Sequence, residues 1–387
     1  MLISTTSELR HVCDELLISQ PKFIAVDTEF IRNCSEYYPR LCLIQIAYSE
    51  RRFIVDVLAD GIDLSILKSI FYNESIIKVF HDCKQDIDAL LTKFPKVPSP
   101  IFDTQIAAMF CYCYDNAIGY SKLVEQFLGI SLDKLTLKRS NWMLRPLSID
   151  KIEYAFNDVI YLYKLYHILY DNLASAGKLR WFLEEMDNIL SQEVNYNDIY
   201  DISDSAYDIT KAEIIIARSI VEWREKLAQF FNVSRDFILK DKLILCLTRD
   251  LIKKNDMSIL GKYVKKEYLL HNNEEFDLFN IVDYNQSLNV DELYSVNVNT
   301  YDKSVLNILL ILLYNVCCEN NISQKLVSSK NSLIKFLNGK VSCIMKGWRY
   351  EFFGCEIEKF MQGKSKIIVS AQALDNHIDI VTTLTKM

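Results

Sequence analysis

Four carboxylates and one tyrosine, set along the first 158 residues of a 387-residue chain, are the side chains best placed to do chemistry. Asp27 and Glu29 lie in Phe23-Ile-Ala-Val-Asp-Thr-Glu-Phe30, and Asp86 closes Val79-Phe-His-Asp-Cys-Lys-Gln-Asp86. Tyr154 and Asp158 bound Tyr154-Ala-Phe-Asn-Asp158. The first block reads as a buried strand running into two acids. Residues two apart on a strand share a face, so Asp27 and Glu29 point the same way. The last block lies in a helical pattern, where residues four apart share a face, so Tyr154 and Asp158 project together. Acids gathered from separate elements repel one another unless a cation sits between them. Hard divalent ions with oxygen ligands, Mg²⁺ or Mn²⁺, meet that need.

These blocks resemble the three exonuclease motifs of the DEDD superfamily, in its tyrosine-bearing branch, and within that branch the ribonuclease D family. Supporting stretches match as well: Tyr37-Tyr-Pro-Arg-Leu-Cys-Leu-Ile-Gln-Ile46, Phe102-Asp-Thr-Gln-Ile-Ala107 and Asn141-Trp-Met-Leu-Arg-Pro-Leu147. The likeness spans roughly residues 20–170, and three blocks in the right order are far more specific than a lone Asp-x-Glu. Phosphodiester hydrolysis needs an acidified water, a neutralised phosphorane charge and a stabilised leaving oxygen, which two divalent ions about 4 Å apart supply together. The resemblance implies that Asp27 bridges both ions, that Glu29 and Asp158 complete the nucleophile-bearing site, and that Asp86 holds the second ion. Tyr154 would orient the attacking water. Its ordinary pKa, about 10, makes it a poor base at neutral pH.

Each assignment has a plainer rival. Asp27 and Glu29 read otherwise as a strand-end pair, but two acids after an apolar strand are costly unless ligated. Asp82 and Asp88 compete with Asp86, which the family spacing from His81 selects. Tyr154 shares its helix with Tyr161, Tyr163, Tyr166 and Tyr170, and its offset from Asp158 sets it apart. Thr28 and Phe30 are candidates for touching the terminal nucleotide, Phe30 by stacking, although a core Phe is nearly as good a reading. Gln45, in an apolar strand, either serves the site or satisfies a neighbouring backbone group. Lys134, Lys138, Arg139 and Arg145 form a basic stretch suited to phosphates or to a solvated loop. His81 reads as structural and Asp103 as a helix N-cap.

Half the residues are hydrophobic and 25% are charged, an ordinary globular composition. Eleven cysteines without a Cys-x-x-Cys pair, and only five histidines, do not make a zinc site. They favour a reducing cytoplasm with buried thiols. The N-terminus lacks the pattern of a signal peptide. The longest apolar run, residues 305–314, is too short to span a membrane. The formal charge of −7 is unusual for a nucleic-acid enzyme, but its distribution matters more than its sum. Residues 181–210 and 271–302 are acidic without a single Lys or Arg, whereas 211–270 and 330–364 are basic.

No proline follows Pro146. Short Val/Ile/Phe-rich runs mark the first part as α/β, and helical periodicity marks the remainder as all-α. The expected fold is therefore an RNase-H-like mixed sheet flanked by helices, followed by helical modules that resemble HRDC domains. The exonuclease domain covers 1–175 and an acidic connector 176–210. One HRDC domain, carrying Ala217-Arg-Ser-Ile-Val-Glu-Trp-Arg-Glu-Lys-Leu227, covers 211–285. A divergent second, carrying Lys346-Gly-Trp-Arg-Tyr-Glu-Phe-Phe-Gly354, covers 290–366, and residues 367–387 are an unassigned tail. The resemblance implies a 3′→5′ exoribonuclease that releases 5′-mononucleotides, with precursor tRNA 3′ ends and other small structured RNA as substrate. No membrane or obligate protein partner is expected. The alternatives are an exonuclease acting on DNA and a catalytically idle RNA-binding adaptor.

Overall fold

In the computed structural model, the residues described are 1–114, 116–132, 140–191, 210–254, 256–269, 302–339, 342–374 and 377–386. The chain divides into two compact units, one of Met1–Ile31, Leu41–Ser191 and Tyr301–Met387, the other of Arg32–Arg40 and Gln192–Thr300.

The first unit is built on a six-stranded mixed sheet. Its strands are β1 (Leu2–Ile3), β2 (Phe23–Ile31), β3 (Arg40–Tyr48), β4 (Arg51–Asp56), β5 (Ile77–Phe80) and β6 (Ile101–Asp103), in the order β1-β4-β3-β2-β5-β6. β3 and β4 are antiparallel; β1 with β4, β2 with β5, and β5 with β6 are parallel. Strands β2 and β3 are buried along most of their length, which is why they read as continuous apolar runs. Helix α1 (Thr6–Ser19) begins in a Thr5–Glu8 capping box and buries Leu9, Val12, Cys13 and Leu16, the spacing of one helical face. Helix α2 (Lys84–Leu91) follows β5, and α3 (Thr104–Cys111) follows β6. Asp103 caps α3, accepting hydrogen bonds from the Gln105 and Ile106 N–H groups, as its sequence context predicts. Helix α4 (Tyr120–Leu128) precedes the long α5 (Ile149–Ser175), whose N-cap is Ser148, two residues beyond Pro146.

Helix α6 (Leu179–Ser191) falls in the stretch expected to be connector, yet Phe182 and Met186 are buried in the same apolar core as the sheet. The helices α9 (Lys303–Glu319), α10 (Lys330–Leu337) and α11 (Cys355–Met361), with the short helical segments between them, add Leu309, Leu312, Leu313, Trp348, Phe353 and Ile357 to that core. Their attachment is specific. Glu185 accepts from Trp348 Nε1 at 3.0 Å and from both terminal nitrogens of Arg349 at 2.7 and 2.8 Å, while Glu184 Oε1 accepts from the Trp348 backbone N–H at 2.9 Å. Gly347 sits at φ +50°, where any other residue is strained and a Cβ would fall 1.7 Å from Glu184 Oε1, so a side chain there would push the Glu184 carboxylate off the Trp348 N–H. The reading of the second half as all-α needs one correction, most of it in the tail left unassigned. Strands β7 (Ser365–Leu374) and β8 (His377–Lys386) pair antiparallel into a hairpin. The stretch 365–386 is rich in Ile, Val and Thr, which favour strands over helices.

The second unit centres on α7 (Lys211–Phe231) and α8 (Asp241–Lys254). Helix α7 opens in a Thr210–Glu213 capping box, and Ile216, Ile220, Val221, Trp223 and Leu227 pack against Ile244, Leu247 and Leu251 of α8. The fully buried Arg224 donates to Leu239 O at 2.8 Å and pairs with Asp241.

Candidate active site

The register of β2 against α5 brings the distant acids together. Phe23, at the start of β2, stacks on Tyr163 and Tyr166 with ring centroids 4.5 and 4.0 Å away. From Phe23 to Asp27 the strand advances about 13 Å. From Tyr166 back to Asp158 the helix covers about 12 Å. Running the two elements in opposite directions from this aromatic anchor sets Asp27 and Glu29 beside Asp158 and Tyr154. Asp27, Glu29 and Asp158 each offer a carboxylate oxygen within 4.8 Å of the others. These donors are all hard anionic oxygens, the set that suits a divalent cation such as Mg²⁺ or Mn²⁺.

Asp86 arrives from another direction, in the first turn of α2, and is buried. The Thr28 hydroxyl, between the two acids of β2, donates to its carboxylate. Burial pushes the Asp86 carboxyl above the usual range; the Thr28 hydrogen bond works against this, and the neighbouring Asp103 adds to it. Asp82 lies outside the helix at φ +58°, its N–H bonded to Asp103 at 3.2 Å. The Tyr154 hydroxyl donates to the Asp158 side chain. Burial first, and then the charges of Asp158, Glu29 and Asp27, hold its pKa well above the ordinary tyrosine range, so it stays a neutral donor.

A strap before α5 fixes Tyr154 in place. Trp142 is buried with its ring 5.9 Å from that of Tyr154, and Lys151 Nζ lies over the Trp142 ring, 5.3 Å from its centroid. Arg145, a phosphate candidate by sequence, instead grips Asp56 at the end of β4 through two bonds of 2.6 Å and donates to Trp142 O at 2.7 Å. Its guanidinium is a structural clasp.

A family model described as 3′-5′ exonuclease matches residues 1–174. The chain is 32% identical to Ribonuclease D of Bartonella henselae, over 94% of this chain and 90% of that one. It is also 32% identical to Ribonuclease D of Zymomonas mobilis, over 94% of each. The chain belongs to the ribonuclease D family. It is a 3′→5′ exoribonuclease. The crystal structure of Escherichia coli RNase D, described as an exoribonuclease involved in structured RNA processing, superposes with a TM-score of 0.74 at 26% identity, covering 94% of this chain and 98% of that one.

Within this ribonuclease D fold the weaker sequence candidates divide. Thr28 is buried and engaged with Asp86, and Phe30 is half-buried against the core. Gln45 is fully buried in β3 opposite Ile54, and among the described residues neither of its amide atoms has a hydrogen-bond partner. His81 Nδ1 lies 3.0 Å from Thr104 Oγ1, a structural contact. Lys134, Lys138 and Arg139 lie outside the described residues. Sequence reasoning missed Tyr120. From the first turn of α4, its hydroxyl donates to the backbone carbonyl of Asp158 and, at 3.2 Å, to that of Asn157. An aromatic residue opening an amphipathic helix gives no local sign of that reach. No described helix is long and apolar enough to cross a membrane.

Proposed function

We propose that this ribonuclease D family member removes 3′ nucleotides one at a time as 5′-monophosphates, using two divalent ions, Mg²⁺ or Mn²⁺, and that precursor tRNA 3′ ends and other small structured RNA are its substrates. The observation that carries the chemistry is the convergence of Asp27, Glu29 and Asp158 beside the Tyr154 hydroxyl. When bound, the ions would lower the pKa of the attacking water and offset the charge on the phosphate. Asp27 would contact both ions, Glu29 and Asp158 one, and Asp86 the other. Tyr154, kept neutral by its surroundings, would hold the water in line through its hydroxyl. Thr28 would keep Asp86 ionised and correctly turned.

We assign the substrate-holding role to the helical module of the HRDC type over 211–285; the divergent second, over 290–366, has its described helices packed into the core of the first unit. Residues 270–301 lie outside the described residues. Exposed Lys240, Lys242, Lys253, Lys254, Lys265 and Lys266 on the first module suit phosphate contacts. All eleven cysteines are thiols rather than disulfides, which fits action in a reducing cytoplasm. The decisive assay incubates the full chain with 3′-labelled RNA and with matched DNA, in Mg²⁺, in Mn²⁺ and in EDTA. RNA shortened stepwise from its 3′ end, only with metal, is the expected result. Equal or faster loss of DNA would overturn the substrate assignment, and turnover in EDTA would overturn the metal mechanism.

A further inference from the structure

Cys113 and Cys318 are 205 positions apart in sequence, yet their Sγ atoms lie 3.3 Å from each other. Cys113 follows the end of α3, and Cys318 stands in the last turn of α9. Both are partly exposed thiols outside any disulfide. The backbone around them is fastened on either side. Ser323 donates through its N–H to Met109 O at 2.8 Å and through its hydroxyl to Tyr114 O at 2.7 Å. Lys178 Nζ joins the same two segments, donating to Phe110 O at 2.9 Å, Asn320 O at 2.6 Å and Asn321 O at 3.2 Å. Residues 109–114 and 320–323 are thus clamped, and the sulfurs meet beside the clamp. A disulfide needs its sulfurs at about 2.0 Å, so a small side-chain adjustment closes the remaining gap.

We propose that Cys113 and Cys318 are a dithiol pair that low-molecular-weight disulfides oxidise to a reversible cross-link between the catalytic sheet region and the C-terminal helices. In the first step the thiolate of one cysteine attacks glutathione disulfide, forming a mixed disulfide and releasing one glutathione thiolate. The second cysteine then displaces the other glutathione. Two protein S–H bonds are lost, one S–S bond is gained, and two molecules of glutathione leave as thiols. The neighbours are poor competitors. Cys317 is fully buried, which pushes its thiol well above the usual range, and burial likewise holds Cys111 up to about 11. The closed loop carries Tyr154 and Asp158, so the bond would restrain the unfolded chain across much of the molecule.

The test treats the full chain with glutathione disulfide and maps its peptides without reduction. The expected result is a Cys113–Cys318 cross-linked peptide with the loss of two hydrogens, reversed by dithiothreitol. Oxidation should also raise the thermal midpoint by about 5 °C or more, and Cys113→Ser and Cys318→Ser should each abolish that rise. Stable glutathione adducts without the cross-link, or a cross-link through Cys111 or Cys317, would overturn the proposal. Mapping the unsubstituted protein decides the matter even if a serine variant folds poorly.

Discussion

Asp86 makes the acidity of the medium matter to the site. Its pKa is raised, mainly by burial, so at lower pH it holds a proton that a metal ion must displace. Metal affinity is therefore expected to strengthen as pH rises through the neutral range. Thr28→Val removes the hydroxyl that stabilises the ionised form, which should raise the Asp86 pKa further and move the affinity curve to higher pH. Mn²⁺ titrations of both proteins across that range check this, and superimposed curves would remove Thr28 from its assigned role. Asp27→Asn should cost at least about a thousandfold in rate if metal electrophilicity supplies several kcal/mol; near-normal turnover in a single-turnover assay would sink the two-ion reading. The pairs Asp27–Glu29 and Tyr154–Asp158 are legible in the sequence because each depends on the periodicity of one element. The Thr28–Asp86 and Tyr120–Asp158 bonds span 58 and 38 positions, and only tertiary folding creates them.

The elements are held in place by packing that the motifs only hint at. The 141–147 block is visible in the sequence as a family match, but its purpose is not. Trp142 supports Tyr154, and Arg145 locks the strap to Asp56. Trp142→Ala should cost about 3–5 kcal/mol in stability, as truncation of a fully buried aromatic does. It should lower kcat more than it alters KM, because Tyr154 loses its support while the substrate surface stays. Urea unfolding and steady-state kinetics on a short oligonucleotide test the two parts; a stable variant with normal kcat would reduce the strap to a solvated loop. Lys78 shows what a strand pattern conceals. It stands in an apolar strand, where a lysine looks misplaced, yet its Nζ reaches Asn73 O at 2.7 Å, Ile76 O at 2.8 Å and Ser99 O. An ammonium has three N–H donors to match these three carbonyls. Lys78→Met should therefore destabilise the protein by about 3 kcal/mol despite its greater hydrophobicity, and a neutral or stabilising outcome in denaturant titration would count against the bonds.

At the scale of the molecule, the order of segments along the chain misleads about which of them fold together. Helical periodicity reveals the helices after residue 301 but not that Leu309, Leu313, Trp348 and Phe353 complete the core of the first unit. Periodicity reports that a face is apolar, not what covers it. Removing everything after residue 210 would therefore strip apolar cover from Phe110 and its neighbour Phe182, and lost activity in such a truncation would say nothing about RNA holding. Surface charge provides the cleaner experiment. Lys253 and Lys254, exposed at the end of α8, lie far in sequence from every proposed catalytic residue. Reversing both, Lys253→Glu with Lys254→Glu, should weaken binding of long RNA and leave cleavage of a saturating short oligonucleotide unchanged. Each phosphate that is no longer neutralised should reduce the slope of log affinity against log salt by about 0.7 for single-stranded RNA. A flatter salt dependence with intact turnover places this helix on the RNA path. An unchanged slope would mean that these lysines only solvate the surface, and the substrate-holding role would have to pass to another face.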